Sequence, residues 1–287
     1  MYGIDISHWD EPIDLNQIGI DFCITKATEG ANYVDKTFTE HIHQCHDKHI
    51  LFGFYHFAGG GDAKKEARFF YDNTKEYVGE GIPCLDFEIF TGNDVKWCEE
   101  FIREYYEITR VWCMLYISAY MTIEFENSWI PDKCALWVAG YPKSYHNWTT
   151  DEMPYNILPF DCPTVWQFTN QLKLSGHDGF LDGDIAYLTP ENWMKIANGE
   201  GAKTIEKENV DELANDVIDG KYGYNKERRV LLGAMYDTVQ QRVNELFKAA
   251  NDVINGKYGN GETRRELLEK KGYPYWLVQK IVNNFLL

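Results

Sequence analysis

Long apolar runs are missing from this chain: no stretch is long enough to cross a bilayer. Met1 leads directly into the strand-like Tyr2-Gly-Ile-Asp-Ile-Ser7, without the basic and apolar segments of a secretory leader, so we expect no signal peptide and no membrane insertion. Paired cysteines are missing too. The seven present (Cys23, Cys45, Cys84, Cys98, Cys113, Cys134 and Cys162) show no CxxC spacing and are odd in number, which argues against a disulfide framework and predicts reduced, mostly buried thiols. Basic charge is scarce in one part alone. The 28 basic and 45 acidic residues divide 15 and 32 upstream of Thr204, then 13 and 13 from there on, so the net charge of −17 lies entirely upstream. A region this acidic is a poor match for DNA or RNA, whose phosphates need a basic face.

What is abundant is flat, amphipathic surface. Nine Trp and nineteen Tyr in 287 residues exceed what one core needs, and they suit the faces of sugar rings, although most must pack in or near the interior. An uncharged or weakly charged polymer such as a glycan fits this composition. The length predicts one barrel-sized domain plus something small.

Upstream of about residue 196, apolar runs alternate with segments of helical spacing, which is the pattern of a β/α barrel or an open α/β sheet. Strands are expected at 2–7, 21–28, 51–58, 82–90, 112–118, 135–141, 164–169 and 180–188. Helices are expected at 37–49, 62–78, 94–109 and 120–128, whereas the connections after residue 135 read as loops. The expectation is an irregular, TIM-like β/α barrel with about five β/α units and three further strands.

The tail repeats itself. Val210, Leu213, Ala214, Val217 and Ile218 mark one helical face, and Leu246, Ala249, Ala250, Val253 and Ile254 mark another 36 residues later. Gly220-Lys221-Tyr222-Gly223 returns as Gly256-Lys257-Tyr258-Gly259, Arg228-Arg229 as Arg264-Arg265, and Leu231-Leu232 as Leu267-Leu268. Val239-Gln240 with Val243-Asn244 returns as Val278-Gln279 with Val282-Asn283 at an offset of 39, so repeat one has lost three residues. Each unit reads as three short helices with a glycine turn after the first. The domain expectation is a barrel over 1–196, a linker over 197–208 containing Gly199 and Gly201, and repeats over 209–246 and 247–287.

Asp86 and Glu88 are two residues apart on an expected strand, hence on one face. Two acids inside a parallel barrel are costly unless paired or used. With Asp5 late in the first strand and Asp182 in the last, four acids gather at one rim, where barrel enzymes keep their chemistry. Glycosidic bond cleavage needs such a set: one protonated carboxyl for the leaving oxygen, and anionic groups for an oxocarbenium-like centre. Glu88 is the expected proton donor, raised by crowding of like charge. Asp86 is not automatically a nucleophile, and attack by a substrate N-acetyl group is the alternative.

The ordered motifs Gly3-Ile-Asp5-Ile-Ser7, Ile24-Thr-Lys26-Ala-Thr28-Glu29-Gly30, Gly53-Phe-Tyr55-His56-Phe57, Leu85-Asp86-Phe-Glu88, Leu115-Tyr116-Ile-Ser118, Leu136-Trp137-Val-Ala139, Val165-Trp166-Gln167-Phe168 and Leu181-Asp182 resemble those of glycoside hydrolase family 25, the Chalaropsis-type lysozymes. The resemblance covers residues 1 to 195. It implies a muramidase cutting the MurNAc-β-1,4-GlcNAc bond, with Glu88 as acid/base and Asp5, Asp86 and Asp182 tuning it or stabilising charge. It also implies a sugar cleft lined by Tyr55, Tyr116, Trp137 and Gln167, with Lys26 nearby. Asp184 departs from the family, which usually carries Asn there. The tail resembles choline-independent cell-wall-binding repeats, three-helix modules that bind a muropeptide; this would place Lys221, Tyr222, Arg228, Lys257, Tyr258 and Arg264 at the wall. Repeat one departs at Gly223-Tyr224-Asn225 and in its deletion.

Together these resemblances imply peptidoglycan as partner, no metal or organic cofactor, and no nucleic-acid or membrane partner. Oligomeric state stays open, with self-association through the tail one option. The absence of a leader, together with the anchor, suggests a phage or prophage endolysin made in the cytoplasm of a bacterial host and acting on the wall after release, or an extracellular protein if a leader was removed. A chitinase-like amino-sugar hydrolase and an inactive wall-binding protein are the alternatives. His41, His43, Cys45, His46 and His49 on one helix read as a solvated face rather than a zinc site, and the sequon at Asn147-Trp148-Thr149 carries no weight without a leader.

Overall fold

The computed structural model describes residues 1–88, 94–200, 202–223, 228, 232 and 235–286, with side chains for all of these except 202–209 and 286. Phe90, Gly201, Tyr224, Asn225, Arg229 and Leu231, used in the readings above, lie outside the described residues. The chain forms two compact units, 1–149 with 153–206 and 207–287 with 150–152.

In the first unit the strands are β1 (Tyr2–Ile6), β2 (Phe22–Glu29), β3 (Tyr33–Val34), β4 (Leu51–Phe57), β5 (Ile82–Asp86), β6 (Met114–Ser118), β7 (Leu136–Ala139), β8 (Val165–Leu172) and β9 (Leu181–Ala186). Eight of them close a barrel in the order β1-β2-β4-β5-β6-β7-β8-β9, with β9 returning to β1, while β3 is a short antiparallel flap on β2. All barrel neighbours are parallel except β9, which runs antiparallel to both β8 and β1. Helices α1 (Phe38–Lys48), α2 (Ala63–Thr74) and α3 (Asp94–Thr109) pack outside, followed by the one-turn α4 (Ile130–Lys133) and by α5 (Pro190–Ala197). The irregular barrel expected from the sequence is the fold observed.

Three details differ from expectation. The helix expected at 120–128 is a 3-10 helix, Ala119–Phe125. β5 stops at Asp86, so Glu88 lies beyond the strand rather than on it. Helix α5, unforeseen, starts where Thr189 caps the backbone N–H of Asn192 and Pro190 supplies the first helical φ. It brings Trp193 under the barrel, where the ring lies 5.0 Å from Phe22 and its indole N–H donates to the Phe52 carbonyl at 3.2 Å. Gly3 is required beside this plug, because a Cβ there would stand 2.6 Å from the Phe22 ring.

The alternation of β-strand side chains explains where polarity goes. Inward positions begin apolar at the plugged end: Phe22 and Ile24 on β2, Ile82 and Cys84 on β5, Met114 on β6, Val165 on β8 and Ala186 on antiparallel β9. Further along the same faces come Lys26, Asp86, Tyr116, Gln167 and Asp184, all buried. Outward residues such as Ile4, Ile6, Phe54, Leu85 and Ile117 join Phe70, Phe101 and Tyr105 of the helices in the main core. The cysteines are free and buried, as expected.

The second unit begins within α6 (Ala202–Ile218) and contains the helices α7 (Tyr236–Ile254), α8 (Gly261–Lys270) and α9 (Tyr275–Leu286). Two expected boundaries fall within helices. Most of the expected linker is helix, because the segment after Gly201 is rich in helix formers and lacks proline. The two repeats also share one helix. Residues 236–254 contain no Gly or Pro and keep a continuous buried stripe at Val239, Val243, Leu246, Ala249, Ala250 and Val253, so the expected boundary at 246/247 falls inside α7. Arg242 at the middle of α7 binds Asp211 of α6 at 2.6 Å and the Gly272 carbonyl at 2.8 Å.

Candidate active site

The carboxyls arrive from three strands at one rim. Asp5 on β1 stands opposite Asp182 on β9 in register, and Asp184 follows two residues later on the same face as Asp182. Asp86 ends β5, where its backbone carbonyl accepts the Ala58 N–H at 2.9 Å. Asp5, Asp86 and Asp184 are buried, whereas Glu88 is exposed. Among the described residues, no group of three or more His, Cys, Asp or Glu side chains is arranged to hold a metal ion. Lys26 is the cation of the rim: its ammonium pairs with Glu29 at 2.7 Å and lies 4.7 Å from the centroid of the Phe57 ring.

Poor hydration therefore acts on these acids more strongly than cationic neighbours do. Burial pushes Asp5 well above the usual carboxylate range, reinforced by the charges of Asp184 and Asp182. Burial does the same to Asp86, helped by Glu88 and opposed by Lys26. Asp182 and Asp184 are each raised to about 7, burial again being the main cause. Glu88 is raised by lost hydration, against a hydrogen bond from Tyr116 and the charge of Lys26. The sequence led us to expect one raised member of the Asp86/Glu88 pair, and both are raised. Of the two, Glu88 is the one a substrate can touch.

The residues expected to line the cleft are buried at the strand ends, and Tyr116 among them lines the cavity described below. Tyr55, Tyr116, Trp137, Gln167 and Lys26 are all buried. The Tyr116 ring lies 4.4 Å from Trp137, and Tyr55 lies 6.1 Å from it. Tyr116 donates its hydroxyl to Gln167 Oε1 at 2.9 Å, Tyr141 donates to the same oxygen, and Gln167 Nε2 donates to Asp5 Oδ2 at 2.7 Å. Trp137 donates its indole N–H to Asp184 Oδ1 at 2.8 Å.

Tyr120, Tyr141 and Tyr155 are cavity residues that the sequence reading missed. A cavity of about 430 Å³ is lined by Glu88, Tyr116, Tyr120, Tyr141 and Tyr155 together with Phe87, Ser118, Ala139 and Gly140. Tyr120 is 77% exposed and Tyr141 is 42% exposed. Both follow the C-terminal ends of their strands, β6 and β7, a position that could have marked them. Tyr155 comes from the long β7–β8 connection, which carries no periodic signal. Trp9, 81% exposed after β1, is a further unforeseen aromatic at this end of the barrel.

The reading of the His/Cys cluster needs correction at two residues, Cys45 and His41, both of which are fully buried. His41 is fully buried, held between Thr25 Oγ1 at 3.0 Å and Glu11 at 2.9 Å, so it is not part of a solvated face.

In the tail, the duplicated motif is a duplicated hydrogen-bond chain. Arg228 donates to Gln240 Oε1 at 2.8 Å and to the Gly223 carbonyl at 3.0 Å, and Gln240 donates to Asn244 at 3.1 Å. Arg264 donates to Gln279 Oε1 at 3.0 Å and to the Gly259 carbonyl at 3.1 Å, and Gln279 donates to Asn283 at 2.8 Å. Lys221 and Lys257 pair with Asp216 and Asp252 of their own repeats at 2.6 and 2.5 Å. Tyr258 is buried and Tyr222 half-buried.

Comparison with known proteins places this geometry. The chain is 26% identical over 216 residues to lysozyme M1 of Streptomyces globisporus, covering 68% of this chain and 71% of that one. It is 24% identical to the N,O-diacetylmuramidase of Chalaropsis sp., covering 69% of this chain and 99% of the relative. Among solved structures, the bacterial lysozyme of Streptomyces coelicolor superposes with a TM-score of 0.60 at 24% identity, over 69% of this chain and 97% of the other. The family 25 lysozyme of Aspergillus fumigatus superposes with a TM-score of 0.55 at 25% identity, over 69% and 99%. The CW_7 repeat matches residues 211–247 and 248–286. Matched over residues 4–177, more than half its length, the chain belongs to the glycosyl hydrolases family 25.

Proposed function

We propose that this glycoside hydrolase is a lysozyme that cuts the β-1,4 bond between MurNAc and GlcNAc in peptidoglycan, with Glu88 as general acid and base. The carrying observation is that Glu88 is the exposed carboxyl lining an aromatic-walled cavity, whereas Asp5, Asp86 and Asp184 of the same rim are buried and Asp182 is half-buried. Tyr120, Tyr141 and Tyr155 offer faces to sugar rings. Glu88, its pKa raised, gives its proton to the glycosidic oxygen as the C1–O bond breaks.

Asp86, buried and held well above the usual carboxylate range, is reluctant to ionise and is a poor nucleophile. The 2-acetamido carbonyl oxygen of the substrate is then the better placed to attack C1. Water opens the resulting oxazolinium ion, and Glu88 takes up the proton that this water loses. Asp5, Asp86 and Asp182 act on Glu88 and on the developing positive charge, while Lys26, Tyr55, Tyr116, Trp137 and Gln167 hold the floor in place.

The proposed division is a catalytic barrel over 1–196, a connection over 197–208, and wall-holding repeats over 209–246 and 247–287. Contacts through Lys221, Tyr222, Arg228, Lys257, Tyr258 and Arg264 would raise the local concentration of enzyme on the polymer. Such a modular hydrolase suits an endolysin of a phage or prophage. The test is Glu88→Gln on purified walls. Wild-type enzyme should release new reducing ends on MurNAc, and the variant should lose at least a hundredfold in turnover while still binding wall. Reducing GlcNAc ends would point instead to another amino-sugar hydrolase, and an active Gln variant would remove Glu88 from the acid role.

A further inference from the structure

We propose that Asp184 is a positioning residue for the reaction at Glu88: with Asp5 it holds one shared proton inside the barrel, and that proton sets the direction of the hydrogen-bond chain running through Gln167 and Tyr116 to Glu88. The inference rests on the proposed role of Glu88 and adds a control over its protonation.

Asp184 is fully buried. Its Oδ1 accepts the Trp137 indole N–H, but its Oδ2 has no hydrogen-bond partner among the described residues. That side chain is in contact with Asp5, whose own Oδ2 already accepts from Gln167. Two carboxylates in contact and out of water repel, and neither can donate to the other. One proton between them removes both problems: Asp5 donates it to Asp184, and every oxygen of the pair then has a role.

The remaining groups acting on Asp184 offer no positive charge in its place. They are Asp182 on its own strand, Cys23 on β2, Cys84 on β5 and Tyr141 beyond β7, and the thiols and the phenol are held neutral by burial. Lys26, the rim cation, acts on Asp86 and Glu88.

The direction of the chain follows. With its proton turned to Asp184, Asp5 can only accept from Gln167, so Gln167 must present its amide N–H there and its oxygen to the tyrosines. Tyr116 spends its single hydroxyl hydrogen on Gln167 and keeps an oxygen free to accept. Glu88 lines the same cavity as Tyr116, and with that hydrogen given to Gln167 Tyr116 has none left to stabilise the Glu88 carboxylate, so the protonated form needed for catalysis is favoured. Loss of the shared proton reverses these preferences from the barrel interior outward.

The experiment is the pH profile of kcat on bacterial walls, from pH 4 to 9, for the full chain and for Asp184→Asn. The carboxamide introduced by Asp184→Asn can accept from Trp137 and donate to Asp5, so the variant needs no shared proton. Wild type should lose activity on the alkaline side through two ionisations, the log kcat slope approaching −2. The variant should retain a slope near −1, with its limb moved up by about one pH unit and KM within twofold. Asp182 titrates in the same range but is present in both proteins, so it cancels from the comparison.

Superimposable profiles would overturn the proposal. A purely structural role for Asp184 predicts that result, with altered stability alone. Should the variant fail to fold, 13C NMR of aspartate-labelled wild type decides: a carboxyl pair still holding a proton at pH 7 supports it, and complete ionisation of both carboxyls by pH 7 refutes it. Glu88→Gln measured alongside separates the two readings. An active Gln variant sinks the role of Glu88, whereas an inactive one with unshifted Asp184→Asn profiles sinks this inference alone.

Discussion

Removing the Glu66 carboxylate should unfasten the loop that supports Asp86. The Glu66 side chain is 2% exposed and accepts three N–H groups: Gly59 at 2.8 Å, Gly61 at 2.8 Å and His56 Nε2 at 3.1 Å. Because His56 donates from Nε2, its Nδ1 accepts the Thr28 hydroxyl at 2.8 Å, so the ring is neutral and fixed in one tautomer. Burial lowers the His56 pKa in keeping with this, and the three donors hold Glu66 below its usual value although burial opposes them. The loop cannot drift toward Gly30 to compensate, since a Cβ at Gly59 would already meet Gly30 Cα at 2.7 Å. The next residue back, Ala58, holds the Asp86 carbonyl.

Hydrogen bonds to a charged acceptor are worth about 1.5–3 kcal/mol each, and water entering an Ala-sized gap recovers part of that. Glu66→Ala should therefore cost ~4 kcal/mol. Glu66→Gln, which turns an NH2 toward one of its former donors, should cost ~2 kcal/mol. Urea unfolding followed by tryptophan fluorescence is the assay, since eight of the nine Trp lie upstream of residue 204 and report the barrel. Turnover should fall roughly tenfold in the Ala variant as Asp86 shifts. An Ala variant within about 1 kcal/mol of wild type would refute the clamp.

Stability should depend on pH in two opposite ways. Asp184, raised from its ordinary 3.8 to about 7, contributes stability that is complete below pH 3.8 and lost as pH rises through 7, ~4 kcal/mol at 1.36 kcal/mol per pH step. Glu66, held low, contributes stability present above its ordinary value and lost as the medium is acidified. Barrel stability measured by urea should thus fall between pH 5 and 8, and a flat profile there would contradict the buried carboxyl pair. In the tail, Arg228→Ala with Arg264→Ala, made in the Glu88→Gln background to spare the walls, should weaken retention on purified walls about tenfold or more, and unchanged retention would move the wall contacts elsewhere.

The sequence showed most of the barrel because period-2 strands and period-3.6 helices alternate plainly up to residue 135. It also showed the four acids, since a carboxylate late in an otherwise apolar strand is conspicuous. Burial depth was not legible. Tyr55, Trp137 and Gln167 occupy the right strand ends, yet whether such a residue walls a cleft or floors it depends on what the neighbouring loops cover. The same applies to His41, whose polarity suggested solvent until the Glu11 and Thr25 contacts were located. Asp184 looked like an extra charge beside Asp182; its partner Asp5 is 179 residues away and meets it only when β9 turns antiparallel to close the barrel. The shared helix of the repeats was missed because sequence repetition locates units but not the continuity of helix between them.

Crowding of acids at a single rim becomes intelligible once protons are counted as part of the site. With Lys26 as the rim cation, five carboxyls from Asp5, Asp86, Glu88, Asp182 and Asp184 cannot all be ionised out of water at modest cost. The barrel therefore keeps some of them neutral, and the deeper groups are the harder to ionise. Glu88, reached by solvent and opposed by Lys26 and Tyr116, is the easiest of the rim acids to cycle between its two forms. A glycan lying on Tyr120 and Tyr141 would strip away further water and push the Glu88 proton on more firmly, until the leaving oxygen gathers enough negative charge to take it. On the proposed mechanism, burial thus favours the acid form of Glu88 before cleavage, and renewed access to water afterwards would let it act as base.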